Sequence, residues 1–141
     1  MSVLFVCTGN SCRSQMAEAI VNAHVGDRWR AFSAGTRPAG YVHPLALRAL
    51  LEAGISASGL RSKPIDEFRD VSIDLVVTVC DRASEECPQW LGSGKKIHRS
   101  FPDPSKVQDS EAAMMAAFRS VREAMERELL SLLKDFEASA H

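Results

Sequence analysis

The side chains best suited to chemistry lie in residues 7–14. This segment reads Cys-Thr-Gly-Asn-Ser-Cys-Arg-Ser and directly follows the apolar run at residues 3–6. That order predicts a strand ending at Cys7, a tight loop at Gly9 and a helix beginning near Arg13. The backbone N–H groups of such a loop and the positive end of the helix converge on one point, so the segment predicts an anion-binding loop.

The side chains of this loop suit attack on a tetrahedral oxyanion. The field of the loop and helix is expected to lower the pKa of the Cys7 thiol, so that its thiolate is populated near neutral pH. Arg13 carries a fork of donors that matches two oxygens of phosphate or arsenate, and Ser14 can donate its hydroxyl to the sulfur. We predict Cys7 as the nucleophile and a substrate-binding loop made of Thr8, Gly9, Asn10, Ser11, Cys12, Arg13 and Ser14.

Asp103 is the candidate general acid. It lies between Pro102 and Pro104, which stiffen the chain after the predicted fourth strand. A carboxylic acid held near a leaving oxygen can protonate it, which typically contributes about 10² to 10⁴ in rate. The plainer interpretation of an aspartate between prolines is a turn residue.

Cys80 and Cys87 separate two kinds of reaction. A phosphatase needs only Cys7, an arginine and an acid, because water completes its cycle. A reductase needs two electrons, and thiols are the available source. Cys80 could attack the sulfur of a Cys7 adduct and leave a Cys7–Cys80 disulfide, after which Cys87 could attack Cys80 and move the disulfide outward. Alternatively, Cys80 is a buried core residue and Cys87 is incidental.

The spacing of these two cysteines makes the reductive hypothesis testable. If residues 80–87 were helical, seven steps of about 1.5 Å would separate the two Cα atoms by about 10 Å. A disulfide requires Cα atoms roughly 4.4 to 6.8 Å apart. We therefore predict a local change of order in residues 80–92 on oxidation.

Strands alternate with helices along the chain. Strands are predicted at residues 3–6, 29–33, 75–79 and 96–100, and helices at 13–25, from 44 to a stop at Gly54, and at 110–136. A helical turn is predicted at 65–68, and a short helix or loop at 83–88. This pattern predicts an α/β fold, a single three-layer domain over residues 1–141 with a mostly parallel four-stranded sheet flanked by helices. Because parallel strands place their carboxyl ends at one edge, Cys7, Cys80 and Asp103 are expected to meet there.

Composition excludes several classes of partner. The chain has 141 residues, 45% of them hydrophobic, and 17 Lys+Arg against 18 Asp+Glu give a net charge of −1 without a dense basic stretch. Nucleic acid and anionic membrane surfaces are therefore not expected as partners. The absence of a long apolar run or a leader segment predicts a cytoplasmic protein.

The cysteine spacings do not predict a metal site. Spacings of five and seven match no usual zinc-ligand pair, so no metal is predicted.

These motifs resemble the low-molecular-weight tyrosine phosphatase fold and, within it, the thioredoxin-coupled arsenate reductases. The resemblance is firmest at residues 6–18, 32–35, 76–80, 87–88 and 103–104. It implies that Cys7 is the nucleophile, Arg13 the oxyanion clamp, Ser14 the partner of the thiolate, Asp103 the acid, and Cys80 and Cys87 the relay cysteines. It also implies that Cys12 is not needed for the relay, and that Asn10 holds the shape of the loop with Ser33 behind it.

The function implied by the resemblance is reduction of arsenate to arsenite, with phosphate or sulfate as analogues. No cofactor would be bound, because the electrons would come from external thioredoxin, and a monomer is the simplest expectation. Glutaredoxin or another low-mass thiol stays open as the reductant. The alternatives are a phosphatase acting on phosphotyrosine or a small phosphoester, and a non-catalytic oxyanion-binding or thiol redox-sensing module.

The sequence departs from the family pattern at two positions. Some relatives of this fold bind potassium beside Asn10 through Glu18, Ser33 and an acidic residue, and the position of that acidic residue corresponds to Lys63 here. An ammonium at that site predicts no dependence on potassium. Phosphatases of this fold usually place an aromatic residue after Asp-Pro, whereas this chain has Ser105, which weakens the phosphotyrosine interpretation.

Overall fold

The computed structural model describes residues 1–88 and 94–139. Four strands and four helices alternate in it: β1 (Ser2–Cys7), α1 (Arg13–Val25), β2 (Arg30–Gly35), α2 (Pro44–Glu52), β3 (Leu75–Thr78), α3 (Asp81–Glu86), β4 (Lys95–His98) and α4 (Glu111–Ser139). Two 3-10 turns lie at Ile65–Phe68 and Pro104–Lys106. The predicted α/β class is confirmed.

The four strands form one sheet in the order β2-β1-β3-β4, with every neighbouring pair parallel. β1 is at the centre because both faces of its apolar run are covered, and residues 3–6 have no exposed surface. β4 is an edge strand and is mostly exposed. Cys7 lies opposite Gly35, and Val6 lies opposite Thr78. The loops after β1 and β3 therefore leave the sheet at the same edge.

The longest helix, α4, packs against α1 and α2. Its buried side chains recur every three or four residues and form one apolar stripe, at Met115, Phe118, Val121, Met125, Leu129, Leu132 and Leu133. Full burial of each such side chain contributes roughly 1.5 to 3 kcal/mol, so this stripe holds α4 against the rest of the helical layer. Across the described ranges, no helix is both long and apolar enough to span a bilayer.

The elements around the second cysteine differ from the prediction. A short helix or a loop was expected at residues 83–88, whereas the structure has a helix, α3, at Asp81–Glu86, with only Val79 and Cys80 between it and the end of β3. Its position follows from packing, since Ala83 is completely buried and the Ser84 N–H donates to the Cys80 carbonyl at 3.2 Å. β4 also ends two residues earlier than predicted. Residues 89–92, which belong to the segment of the predicted order change, lie outside the described residues.

Candidate active site

Cys7 is the last residue of β1 and faces the loop that connects β1 to α1. Its sulfur accepts a hydrogen bond from the Asn10 N–H at 3.1 Å and lies 2.8 Å from Ser14 Oγ. Asn10 Nδ2 donates to that same Ser14 oxygen at 2.7 Å. Although Ser14 Oγ accepts from Asn10, its own proton stays available for donation to a Cys7 thiolate. Two donors therefore point at the position of the predicted nucleophile.

The pKa of the Cys7 thiol is raised by burial, and not lowered as the sequence predicted. Only 3% of Cys7 is exposed, and burial raises the pKa of the thiol above its ordinary value of 9.0. Hydrogen bonds from Ser14 and Asn10 oppose that rise. The thiolate loses most of its hydration at this position, a cost that the order of elements in the sequence does not reveal.

Asn10 holds the loop in its shape. It is completely buried, and its φ of 48° is in the left-handed region, where asparagine is tolerated better than most residues. Its side-chain carbonyl accepts from the Lys63 N–H and from Gln15 Nε2, both at 2.9 Å. The importance of Gln15 was missed in the sequence; a polar residue on the buried face of α1 was the available signal.

Gly35 lets β2 approach the loop closely. A Cβ atom at Gly35 would lie 2.7 Å from the Thr8 carbonyl oxygen and 2.9 Å from the Asn10 Cβ. The next two residues after β2 bind the loop through the backbone: Thr36 donates to the Cys7 carbonyl at 3.2 Å, and Arg37 to the Thr8 carbonyl at 2.8 Å. The loop is therefore fastened to β2 along its first half.

A buried ammonium lies behind the loop. Lys63 Nζ is 3.6 Å from Glu18 Oε1, 3.4 Å from Ser33 Oγ and 2.8 Å from the Arg61 carbonyl. Burial lowers the pKa of Lys63, while Glu18 acts in the opposite direction. The side chain predicted to replace an acidic ligand thus places its own positive charge beside Glu18 and Ser33.

Arg13 and Asp103 face each other across the mouth of the loop. Arg13 Nη2 lies 3.6 Å from Asp103 Oδ2, and Nη1 donates to the Phe101 carbonyl at 3.1 Å. Arg13 Nε is buried and has no hydrogen-bond partner among residues 1–88 and 94–139. A buried donor in this position is costly unless it binds an acceptor, so Arg13 is suited to an oxyanion in the loop.

The Asp103 carboxylate is oriented by its own turn. Its Oδ1 accepts from the Ser105 N–H at 3.0 Å and from Ser105 Oγ at 2.7 Å. The turn interpretation from the sequence is therefore correct as local structure. The same turn leaves Oδ2 on the side of Arg13 and of the cavity, so the turn also directs the carboxyl group toward the loop.

Cys12 is a second sulfur in the loop. Burial first, and then Asp103 and Cys7, raise the pKa of its thiol to about 11. Its sulfur is 4.0 Å from Asp103 Oδ1. The Cys12 thiol is therefore harder to ionise than a thiol in water.

One cavity of about 620 Å³ joins the loop to the end of β3. Cys80 lines it together with Cys7, and Thr8 Oγ1 lies 3.5 Å from Cys80 Sγ. Side chains from three segments surround this cavity: Cys7, Thr8, Ser11, Cys12, Arg13, Cys80, Asp81, Arg82, Ser100, Phe101, Asp103, Ser105 and Lys106. The structure thus brings together the predicted nucleophile, clamp, acid and first relay cysteine. Within the described ranges, no three His, Cys, Asp or Glu side chains are placed to hold a metal ion.

Cys87 lies at the other end of α3. It is half-buried, whereas the three other cysteines are buried. None of the four forms a disulfide. Burial raises the pKa of Cys87, and the nearby Lys96 ammonium lowers it. The six helical residues of α3 separate it from Cys80, so the two sulfurs do not meet in this structure.

Comparison with known proteins assigns the family. The model of the family described as low molecular weight phosphotyrosine protein phosphatase matches residues 2–140. An arsenate reductase of Bacillus subtilis is 40% identical over 134 residues, covering 95% of this chain and 93% of that protein. A solved arsenate reductase in its phosphate-binding state is 31% identical with a TM-score of 0.79, covering 95% of this chain and 97% of the other.

A thioredoxin-dependent arsenate reductase of Corynebacterium glutamicum has a similar structure. It is 28% identical, with a TM-score of 0.66, and the match covers 98% of this chain and 62% of that one. The family match spans residues 2–140 and therefore includes the anion-binding loop, and the solved structures share the overall architecture. The chain therefore belongs to the low molecular weight phosphotyrosine protein phosphatase family.

Proposed function

We propose that this chain reduces arsenate to arsenite through Cys7, Cys80 and Cys87, and that thioredoxin regenerates it. The observation that carries the proposal is the position of Cys80, which lines the same cavity as Cys7 with the Thr8 hydroxyl 3.5 Å from its sulfur. A phosphatase has no use for a second buried thiol at this place. Arsenate reductases among the relatives and solved structures support the same assignment.

The first step is attack on arsenate. The Cys7 thiolate, held by donors from Ser14 and Asn10, displaces one oxygen of arsenate and forms a sulfur–arsenic bond. Arg13 binds oxyanion oxygens through its fork of donors. Asp103 gives its proton to the departing oxygen, which leaves as water. Arsenic stays in its pentavalent state during this step.

The second step transfers two electrons to arsenic. The Cys80 thiolate attacks Cys7 Sγ and forms a Cys7–Cys80 disulfide. The sulfur–arsenic bond breaks with its electron pair going to arsenic, which leaves as trivalent arsenite. Thr8 Oγ1 is near enough to Cys80 Sγ to donate to the thiolate that this attack requires.

The third step frees the nucleophile. The Cys87 thiolate attacks Cys80 Sγ, and Cys7 departs as a thiolate ready for another cycle. The dithiol of external thioredoxin then reduces the Cys80–Cys87 disulfide and is itself oxidised to a disulfide. No bound cofactor or metal takes part in this sequence of thiol exchanges, and we propose a cytoplasmic monomer as the working form.

The test is thioredoxin-coupled consumption of NADPH with arsenate. Cys87→Ser should lose multiple turnover but still release about one arsenite per chain, because Cys80 is intact. Cys80→Ser should release none. Hydrolysis of p-nitrophenyl phosphate, which needs only Cys7, Arg13 and Asp103, provides the control that the loop is correctly folded in both variants. Steady arsenate turnover in both variants would remove the proposal.

Phosphatase activity is the second candidate. The geometry of Cys7, Arg13, Ser14 and Asp103 is sufficient for it, and the family as a whole takes its description from that activity. In this chain Ser105 and Lys106 line the cavity after Asp103, where an aromatic wall would favour phosphotyrosine. Phosphate-ester turnover in the Cys80→Ser variant that exceeds arsenate turnover in the parent would favour the phosphatase.

A further inference from the structure

The short helix between the two relay cysteines is weakly anchored by apolar contacts. Of the six residues of α3, only Ala83 is buried. A helix of this length is not stable by itself in water. Polar contacts at its two ends therefore carry a large share of what holds it in place.

At the first end, Asp81 contacts β4. Asp81 Oδ1 lies 2.9 Å from His98 Nε2, and His98 Nδ1 lies 2.7 Å from Thr78 Oγ1. Cys80, directly before Asp81, is 3% exposed and lies two residues after the end of β3. This end has little distance to travel when a disulfide forms.

At the second end, Glu86 contacts the segment after β2. Its Oε1 accepts from Thr36 Oγ1 at 3.3 Å, and its Oε2 accepts from Arg37 Nε at 3.1 Å. Arg82 Nε, one turn earlier in α3, lies 3.6 Å from Glu86 Oε1. The Glu86 side chain is 25% exposed, so these contacts are partly shielded from water.

This second end is connected to the anion-binding loop. Thr36 and Arg37, which hold Glu86 through their side chains, donate their backbone N–H groups to the carbonyls of Cys7 and Thr8. Glu86 therefore fastens α3 to the same short segment that supports the nucleophile.

We propose that Glu86 is a latch that holds α3 in the dithiol form and restrains formation of the Cys80–Cys87 disulfide. Helical residues 80–87 separate the two Cα atoms by about 10 Å, whereas a disulfide requires roughly 4.4 to 6.8 Å. Cys87 must move toward Cys80, and Glu86 moves with it because it is the adjacent residue. Its contacts with Thr36 and Arg37 belong to the dithiol form and are lost in the disulfide form.

The latch rests on the proposed relay and sets how readily its last internal step occurs. In that step the Cys87 thiolate attacks Cys80 Sγ while Cys7 leaves as a thiolate. Contacts present before this step and absent after it favour the starting state. Glu86 is thus a positioning residue: it acts on the location of Cys87 and does not contact the substrate.

The test measures the Cys80–Cys87 equilibrium without arsenate. In a Cys7→Ser, Cys12→Ser background, glutathione disulfide accepts the two electrons and two protons of the dithiol. The disulfide fraction is followed by mass spectrometry after alkylation across a series of glutathione ratios. Glu86→Gln should raise the equilibrium constant for the disulfide by about three- to tenfold, the effect of losing partly exposed charged hydrogen bonds.

Two further variants make the result specific. Glu85→Gln removes the same charge from an exposed neighbouring position and should leave the equilibrium constant at the parent value. Arg37→Gln, on a side chain that is 67% exposed, should also favour the disulfide. Because both contribute to one contact, combining Arg37→Gln with Glu86→Gln should shift the equilibrium less than the sum of the two free-energy effects.

The outcomes separate the latch from the relay. If the disulfide forms in the parent background but Glu86→Gln behaves like Glu85→Gln, the latch is wrong and the relay stands. If the two shifts add fully, Glu86 does not act through Arg37 and the latch is also wrong. If no glutathione ratio produces a Cys80–Cys87 disulfide, the proposed reductase and the latch are both wrong.

Discussion

Lys63 Nζ and Glu18 Oε1 lie 3.6 Å apart behind the anion-binding loop, with side chains that are only 8% and 15% exposed. Ser33 Oγ donates to the same Glu18 oxygen at 2.7 Å. The backbone N–H of Lys63 also donates to Asn10, so this pair is joined directly to the loop. One residue therefore supplies both a positive charge for Glu18 and a donor for the loop.

This arrangement predicts stability without potassium. The ammonium of Lys63 already neutralises Glu18, so replacing sodium by potassium at equal ionic strength should not change the parent's unfolding midpoint in urea. Lys63→Met should lower the free energy of unfolding by about 3 kcal/mol, because Glu18 becomes an unpaired buried charge. A rise in the parent's midpoint that is specific to potassium would contradict this account.

Asn10 should contribute to stability both through its side chain and through its backbone. Asn10→Ala leaves the Lys63 N–H without its acceptor and removes one of the acceptors of Gln15 Nε2, so it should lower the free energy of unfolding by about 2 kcal/mol. Asn10→Gly loses the same side chain but relieves a φ of 48°, so it should be less destabilised than Asn10→Ala by about 1 kcal/mol. Urea denaturation measures both, and equal losses would argue against backbone strain at this position.

The local parts of the site were predictable because they depend on neighbours in sequence. The spacing from Cys7 to Ser14 predicted the loop, and α1 begins at Arg13 as expected. The contact between Lys63 and Glu18 joins residues far apart in the chain, and only packing determines it. The raised pKa of Cys7 has the same origin, because the degree of burial depends on the assembled sheet and helices.

The reactivity of Cys7 should depend on pH in the direction set by its burial. Since burial raises the pKa of the thiol above 9.0, alkylation of Cys7 by iodoacetamide should still accelerate as pH rises beyond 9. Ser14→Ala removes a bond that lowers this pKa, so its rate at pH 8 should fall by about three- to tenfold. Peptide mass spectrometry measures the rate for Cys7 alone. Ser11→Ala is the control, since the Ser11 hydroxyl contacts Cys12; an equal loss there would refute the assigned role of Ser14.

Gly35 should tolerate no side chain. In Gly35→Ala the added Cβ would lie 2.7 Å from the Thr8 carbonyl, which forces the loop away from β2. We expect a loss of about 1 to 3 kcal/mol in the free energy of unfolding, typical of overpacking, together with at least tenfold slower arsenate reduction. Thermal unfolding and the coupled assay measure the two effects. Unchanged activity in a folded Gly35→Ala protein would show that this close approach does not position the loop.

The contacts around α3 show where sequence reasoning stops. The polar composition of residues 81–86 suggested a segment that can change its order, and the helix is indeed short and mostly exposed. The partner of Glu86 could not be predicted, because Arg37 comes from the segment after β2 and is brought near only by the parallel sheet. The start of α3 at Asp81 was missed because the residue before it, Cys80, is not a type that usually caps a helix. Its side chain makes no capping hydrogen bond in the structure.

The central claim is that oxidation passes from Cys7 through Cys80 to Cys87. The most direct measurement is mass-spectrometric mapping of disulfides after one equivalent of arsenate reacts with the reduced chain in the absence of any reductant. The account predicts a Cys80–Cys87 disulfide with Cys7 free in the parent, and a Cys7–Cys80 disulfide in Cys87→Ser. Arsenite release without either disulfide, or a parent in which Cys80 stays a free thiol, would contradict it.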